Sequence, residues 1–275
     1  MKKLFILNAD DLGMSKTKNK AILDACQKGF LRSASLCVNG DEYEDAVVNV
    51  VKKCPELGVG IHLNIIEGRA LIPKSSLTDA SGNFKPGFIR LLARSRNRKF
   101  LEDVENEFRA QIEKGRKDVN FDHMDSHVHT HGIPGIFSIT ARLAAEYGIK
   151  AVRTQYEKPY RIPRAKKNIT LSFFVNRIKI ILLNTFTGIN KKRIKNFTTN
   201  NYLIGVGYTA MMDSQAVEYG LGKLAKIEKS IVVETLFHPD ANNQNNEYQI
   251  PFDFKLLDKI KKMGFEPANY SGPVK

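Results

Sequence analysis

Short apolar runs alternate along the chain with stretches in which apolar residues recur every three or four positions. The runs predict strands, and the recurring pattern predicts helices with one buried face. Predicted strands cover residues 4–7, 35–38, 59–65, 121–126, 151–152 and 231–236. Predicted helices cover residues 17–28, 41–53, 100–114, 136–147, 214–226 and 252–262. Repeated strand-then-helix units in a chain of 275 residues predict an α/β fold, with a parallel sheet closed into a barrel.

Residues 159–201 interrupt this alternation. A mostly apolar stretch at 171–186 lies between basic clusters at 161–167 and 191–195. This pattern predicts a basic helical insertion between two barrel strands. Because the chain shows no internal repeat and no low-complexity linker, we expect one domain, 1–275, that contains the insertion 159–201.

The net charge of +14 is concentrated in the same region. Residues 151–200 hold 12 Lys and Arg and one acidic residue, so +11 of the excess falls there. An apolar helix with basic flanks suits a lid, a homodimer contact or peripheral membrane contact. Nucleic acid is not an expected partner, because the segment has no recognisable reading motif and its centre is apolar without interleaved aromatic residues.

Composition excludes disordered and membrane-spanning classes of protein. The content of 42% hydrophobic and 26% charged residues excludes wholesale disorder, and no run of about 18 apolar residues predicts a membrane-spanning helix. The first apolar stretch stops at Asn8, too early for a signal peptide, so we expect a cytoplasmic protein. The three cysteines share no metal-type spacing and are expected to be free thiols.

Two candidate sites lie on the early strands. Asp10 and Asp11 directly follow the first strand, where adjacent carboxylates favour a shared cation or proton. A helix N-cap is the alternative interpretation. His62 lies on an alternating strand, after glycines that permit close backbone approach. Taken alone, a histidine in a strand is usually a hydrogen-bonded structural residue.

Four of the six histidines fall within residues 123–131. If this run stays extended, alternation places on one side His123, Asp125, His127, His129 and His131. Imidazole and carboxylate groups together suit a divalent transition metal, and a surface turn without function is the alternative.

His238 ends a later apolar strand, where it is a candidate general acid or a capping residue before Pro239. All six histidines thus fall at predicted strand ends, and the first strand adds paired acids. Together these positions predict a divalent-metal hydrolase, in which a carboxylate accepts a proton from water and a histidine protonates the leaving group.

Four ordered motifs resemble the YdjC family of carbohydrate deacetylases. They are NADDLG at 8–13, GIHLN at 60–64, HMDSHVH at 123–129 and the segment 234–239. The chain departs from the family's usual pattern at Leu12 and Asp240, where Phe and Gly are common. The basic insertion matches nothing in that pattern.

The resemblance implies a distorted TIM-like barrel and a divalent metal, magnesium or zinc. It implies Asp11, His62 and His127 as the metal ligands, and Asp10 as the general base. The implied reaction is the hydrolysis of an acetamide on a small-molecule carbohydrate, which releases acetate.

A looser similarity to NodB-type polysaccharide deacetylases implies three further roles. Arg153 would orient Asp10, His238 would be the acid, and Asp125 would hold His238. Two other functions stay open: another metal-dependent hydrolase such as a phosphoesterase, with basic residues that bind phosphate, and a non-catalytic protein whose function lies in the insertion.

Overall fold

The computed structural model describes residues 1–85, 87–163, 171–243 and 246–273. Within those ranges, nine strands belong to one sheet. They are β1 (Lys3–Leu12), β2 (Ser33–Leu36), β3 (Gly58–Leu63), β4 (His123–Ser126), β5 (Ala151–Val152), β6 (Tyr202–Ile204), β7 (Ile231–Phe237), β8 (Phe265–Asn269) and β9 (Gly272–Pro273).

The sheet is parallel apart from the last pair. Its order is β5-β4-β3-β2-β1-β7-β6, and β8 pairs with the start of β1 and antiparallel with β9. The two edge strands are joined through their neighbouring segments, because Val152 N donates to Thr198 O at 3.0 Å and Leu203 N donates to Tyr156 O at 2.8 Å. The sheet therefore curls into a distorted TIM-like barrel, and the predicted fold class is confirmed.

Helices pack outside the strands, with capping side chains at several starts. They are α1 (Lys16–Lys28), α2 (Tyr43–Asp45), α3 (Phe88–Arg94), α4 (Arg98–Gly115), α5 (Pro134–Glu146), α6 (Leu171–Asn190), α7 (Ser214–Ala225), α8 (Asn246–Gln249) and α9 (Phe254–Lys262). Ser15, Asn97 and Asp213 each accept a hydrogen bond from a first-turn backbone N–H, which satisfies donors that the helix leaves unpaired. The apolar faces of these helices cover the sheet and form the main core.

Several boundaries differ from the sequence predictions. The predicted helix 41–53 is α2 followed by a π-helical segment, Ala46–Val50, and a 3-10 turn, Val51–Lys53. Five of these elements have no sequence prediction: α3, β6, α8, β8 and β9. Strand β6 has only three residues, and β8 contains Glu266 and Pro267, residue types that are depleted in strands.

Helix α6 lies between β5 and β6, within the segment expected to be an insertion. Its inward side packs on the barrel through Ile180, Leu183 and Phe186. Residues 164–167 of the first basic cluster lie outside the described residues. No helix in the described part of the chain is long and apolar enough to cross a membrane. Cys26, Cys37 and Cys54 are free and buried there, as expected.

Candidate active site

The carboxyl ends of the parallel strands bring the candidate residues together. Asp10 and Asp11 end β1, and His62 lies near the end of β3. The register of β3 and β4 sets His62 opposite Asp125. Arg153 directly follows β5, and His238 directly follows β7. This edge carries the active site in α/β barrels.

Two histidine side chains converge on Asp11. Its Oδ1 lies 2.9 Å from His127 Nδ1 and 3.5 Å from His62 Nε2. One ligand atom from each residue lies within 4.8 Å of those of the other two. Asp11 has a φ of +68°, next to an irregularity in the β1–β2 pairing. Such a backbone is costly for a non-glycine residue and is concentrated at functional sites.

The chemistry of this group fits a divalent metal. One carboxylate and two imidazoles are the donor types found in three-ligand catalytic sites that keep an open position. His62 Nδ1 donates to Asp125 Oδ1 at 2.8 Å, which leaves its Nε2 facing Asp11. A carboxylate behind a histidine is the usual support of a metal-bound imidazole.

A second group, Asp10, His62 and Asp125, also has compatible spacing. It is the weaker candidate, because both Asp10 oxygens and one Asp125 oxygen already face Arg153 within 2.9 Å. In the first group, Lys18 competes with a metal ion for one Asp11 oxygen, because its Nζ donates to Asp11 Oδ2 at 2.5 Å. Burial raises the pKa of Asp11, but the hydrogen bond with His127 and the nearby histidines hold that pKa well below its usual range.

Arg153 is fully buried and joins three carboxylates. Its Nη1 and Nη2 donate to the two oxygens of Asp10 at 2.9 and 2.7 Å, and Nη1 also lies 2.7 Å from Asp125 Oδ2. Its Nε donates to Glu234 Oε1 at 2.9 Å. Burial raises the pKa of Asp10, but the charges of Arg153 and His62, together with the Arg153 hydrogen bonds, lower that pKa on balance, so the carboxylate is ionised at neutral pH.

His238 is held by Glu247, not by Asp125. The Glu247 Oε2 atom accepts from His238 N at 2.7 Å and lies 3.6 Å from His238 Nδ1. The sequence expectation that Asp125 holds His238 differs from this geometry, because the β3–β4 register commits Asp125 to His62. Burial lowers the pKa of His238, but the Glu247 hydrogen bond and the charges of Asp11 and Asp10 raise it to about 9.

The histidine-rich run does not stay extended. Strand β4 ends at Ser126, and a 3-10 turn, His127–Gly132, follows, with Val128 and His129 at φ of 53° and 57°. The turn is held by His131 Nδ1, which lies 2.6 Å from Ser126 Oγ. His127 therefore points to Asp11. His131 stabilises the turn through Ser126 and does not share a face with His127.

His123 is a structural residue. Its ring stacks on Tyr270 at 4.2 Å, and its Nδ1 lies 2.6 Å from Asp122 Oδ1. A Cβ at Gly60 would come within 2.3 Å of the His123 ring, so this close approach requires glycine. His129 Nδ1 is buried without a hydrogen-bond partner among the described residues.

Nearly the whole chain resembles one known protein family. The model of the YdjC-like protein family matches residues 4–262. This chain belongs to the YdjC-like family. A solved structure from Enterococcus faecalis V583, described as a candidate cellobiose-phosphate cleavage protein, is 22% identical to it. The two superpose with a TM-score of 0.76 over 98% of each chain, which shows the shared fold.

Curated relatives of this YdjC-like chain are named as deacetylases. A carbohydrate deacetylase of Brevibacillus brevis is 40% identical over 150 residues, covering 52% of this chain and 56% of the relative. One of Geobacillus stearothermophilus is 36% identical over 164 residues, covering 59% and 64%. A chitooligosaccharide deacetylase of Enterobacter is 35% identical over 177 residues, covering 62% and 65%. The matches thus span between about half and two thirds of these relatives.

The sequence analysis assigned no role to three charged residues of the YdjC-like site. Lys18 follows the acid pair on α1, and Glu234 lies inside an apolar strand, where Tyr270 Oη donates to it at 2.6 Å. The apolar neighbours of Glu234 were the available signal, because a buried carboxylate needs a partner. Glu247 comes from a short helix, α8, and no pattern in the sequence singles it out.

Proposed function

We propose that this YdjC-like chain is a metal-dependent hydrolase that removes the acetyl group from an N-acetylated sugar and releases acetate. The observation that carries the proposal is the convergence of His62 and His127 on Asp11, beside the Asp10–Arg153 pair. The names of the curated deacetylases support the substrate class.

Asp11, His62 and His127 are the proposed metal ligands. Their carboxylate and imidazole groups suit zinc, and magnesium remains the alternative named by the resemblance. When bound, the metal supplies Lewis acidity to the acetyl carbonyl and to the attacking water. Asp125 is then a positioning residue, because it fixes the His62 ring so that Nε2 faces Asp11.

Asp10 is the proposed general base. Arg153 keeps it ionised, and the two parallel hydrogen bonds fix the plane of the carboxylate. Water attacks the acetyl carbon while Asp10 takes the water's proton. Arg153 is in this account a positioning residue, since it has carboxylate partners on every side.

His238 is the proposed general acid. A pKa of about 9 keeps its imidazole protonated at neutral pH, so it can donate when the C–N bond breaks. The sugar amine takes that proton and leaves, and the acetyl group departs as acetate. Glu247 anchors His238 by accepting a hydrogen bond from its backbone N–H.

A phosphoesterase on the same centre is less well supported. Phosphate binding favours cations that are free to contact it. Among the described residues at this centre, Arg153 is already paired with Asp10 and Lys18 with Asp11. These two cations therefore neutralise buried carboxylates and are not free to bind a phosphate.

Acetate release from N,N′-diacetylchitobiose, with and without a chelator, tests the proposal. We expect turnover that stops on chelation, returns with added zinc or magnesium, and exceeds turnover of a phosphorylated sugar. The exposed Asp41 provides a matched carboxylate variant, Asp41→Asn, that should behave as wild type. Acetate release that survives both complete metal removal and Asp10→Asn would overturn the proposal, and faster phosphate release would favour the phosphoesterase.

A further inference from the structure

Helix α6 presents an apolar face to solvent. Positions four, seven and fifteen residues after Phe174 lie on the same side of the helix, and they are all isoleucine. The exposed side chains and their exposed fractions are Phe174 57%, Val175 41%, Ile178 66%, Ile181 69% and Ile189 53%. Thr185 is the exposed polar residue within this stripe. We call these five apolar side chains the α6 stripe.

The stripe is separate from the face that builds the core. Ile180, Leu183 and Phe186 point to the barrel from the same helix and are nearly fully buried. Helix α6 is therefore apolar on two sides, and barrel packing accounts for only one of them. A row of large exposed aliphatic side chains marks an interaction surface.

Basic residues border the α6 stripe. Arg177 and Lys179 flank it on opposite sides of the helix, and Lys191, Lys192, Arg193 and Lys195 follow its end. The sequence from Lys158 to Met212 contains 11 Lys and Arg and no Asp or Glu. The charge excess of the chain thus falls in the same segment of the sequence as its exposed apolar row.

A basic groove continues the same surface. It has a volume of about 1210 Å³ between α6 and α7, and Phe174 lines it as well as the stripe. Its basic lining residues are Lys158, Arg161, Arg177, Lys223 and Lys226. Among the described lining residues, Glu218 alone is acidic, and it is paired with Lys259 at 2.7 Å.

We propose that the α6 stripe and the adjoining groove dock this protein on a membrane surface with anionic headgroups. The aliphatic side chains enter the boundary between headgroups and acyl chains, while the basic border contacts the lipid phosphates. The helix lies on the surface and does not cross it, because charged Arg177 and Lys179 lie within its length.

Charge argues against a second copy of the chain as the occupant. A two-fold contact through the α6 stripe would bring the same basic border of both copies together. Like charges at close range oppose that contact, whereas anionic lipid neutralises them. The proposal is independent of the proposed deacetylation, because none of its residues belongs to the Asp11 centre.

Co-sedimentation of the full-length protein with vesicles tests the proposal. We expect binding to phosphatidylcholine vesicles in which about 30% of the lipid is phosphatidylglycerol, because this fraction gives a strong negative surface potential. We expect little binding to vesicles of phosphatidylcholine alone. The double variant Ile178→Glu and Ile181→Glu should lower the partition coefficient at least tenfold. Each replacement of Lys191 or Lys192 by Gln should lower it about fivefold, less so at high salt.

A matched control is Ile89→Glu, which changes another highly exposed isoleucine (83% exposed) outside the stripe and should leave binding unchanged. Thermal unfolding followed by circular dichroism, with the same midpoint in all variants, shows that each one is folded. Absence of vesicle binding, or equal binding by the stripe variant and wild type, overturns the proposal. So does sedimentation equilibrium showing a dimer that the stripe variant dissociates, because the occupant would then be a second copy.

Discussion

His62 and Asp125 face each other across strands β3 and β4, with 2.8 Å between Nδ1 and Oδ1. This contact turns the other imidazole nitrogen toward Asp11. Ser35 donates to the second Asp125 oxygen at 2.8 Å and helps to fix the carboxylate. The orientation of one proposed ligand is thus built into the register of two parallel strands.

Replacing Asp125 by Asn should weaken metal binding about 10–100-fold, because His62 loses the carboxylate that fixes its ring. Isothermal titration with zinc measures the affinity. Asp122→Asn is the matched control, because Asp122 directly precedes β4 and its carboxylate pairs with His123, which is not a proposed ligand. Equal affinity of the Asp125 variant and wild type would show that His62 is not held for a metal.

Arg153 should be critical for stability. Replacing it by Met would leave Asp10, Asp125 and Glu234 buried around a missing charge, a change that costs about 3–5 kcal/mol when a buried pair is broken. Urea unfolding measures the loss in the free energy of unfolding. The exposed pair of Arg142 and Glu105 offers a control, since Arg142→Met should cost at most about 1 kcal/mol. Similar losses in both variants would show that Arg153 does not stabilise the three buried carboxylates.

The pH profile should show an alkaline limb from His238. Its pKa is raised to about 9, so the acid form is present below that pH and is lost above it. A cation bound at Asp11 offsets the effect of that carboxylate, so activity should fall as pH rises, with a midpoint at or below about 9. In Glu247→Gln the carboxylate that raises the pKa is gone, and the limb should move to lower pH.

The exposed Glu228 provides the control for Glu247→Gln, because Glu228→Gln makes the same substitution at the surface and should leave the alkaline limb in place. Rates of acetate release from pH 6 to 10 give all three profiles. If Glu247→Gln leaves the limb where it is in wild type, His238 is not the group that titrates.

The barrel was predictable because its signals are local. Apolar runs marked β1, β3 and β7, and helical periodicity with a following glycine marked α1 and α4. Strand β8 was missed because Glu266 and Pro267 give it no strand pattern, and pairing with β1 decides its structure. Tertiary hydrogen bonding here outweighs local propensity.

The sequence indicated most residues of the candidate site but not the contacts between their side chains. Position at strand ends indicated Asp11, His62 and His238, whereas the pairing of Glu247 with His238 depends on how a distant short helix packs. The alternation expected from His123 to His131 failed because Val128 and His129 adopt a left-handed backbone. That conformation is uncommon for residues other than glycine and is unfavourable for a β-branched residue such as Val128, so the sequence did not indicate it.

Loss of a proposed ligand and loss of the proposed base should have different effects. Asp11→Asn removes the carboxylate on which His62 and His127 converge, so metal content should fall with turnover. Asp10→Asn leaves the three ligands in place and should lower turnover about 10²–10⁴-fold, the range for loss of a general base.

Metal content per chain, measured by mass spectrometry together with acetate release for Asp10→Asn, tests the central claim most directly. We predict about one zinc or magnesium ion per chain, as in wild type, and turnover reduced at least 100-fold. An Asp10→Asn protein that releases acetate at the wild-type rate would contradict the assignment of the base. One that has lost its metal would contradict the assignment of the ligands to Asp11, His62 and His127.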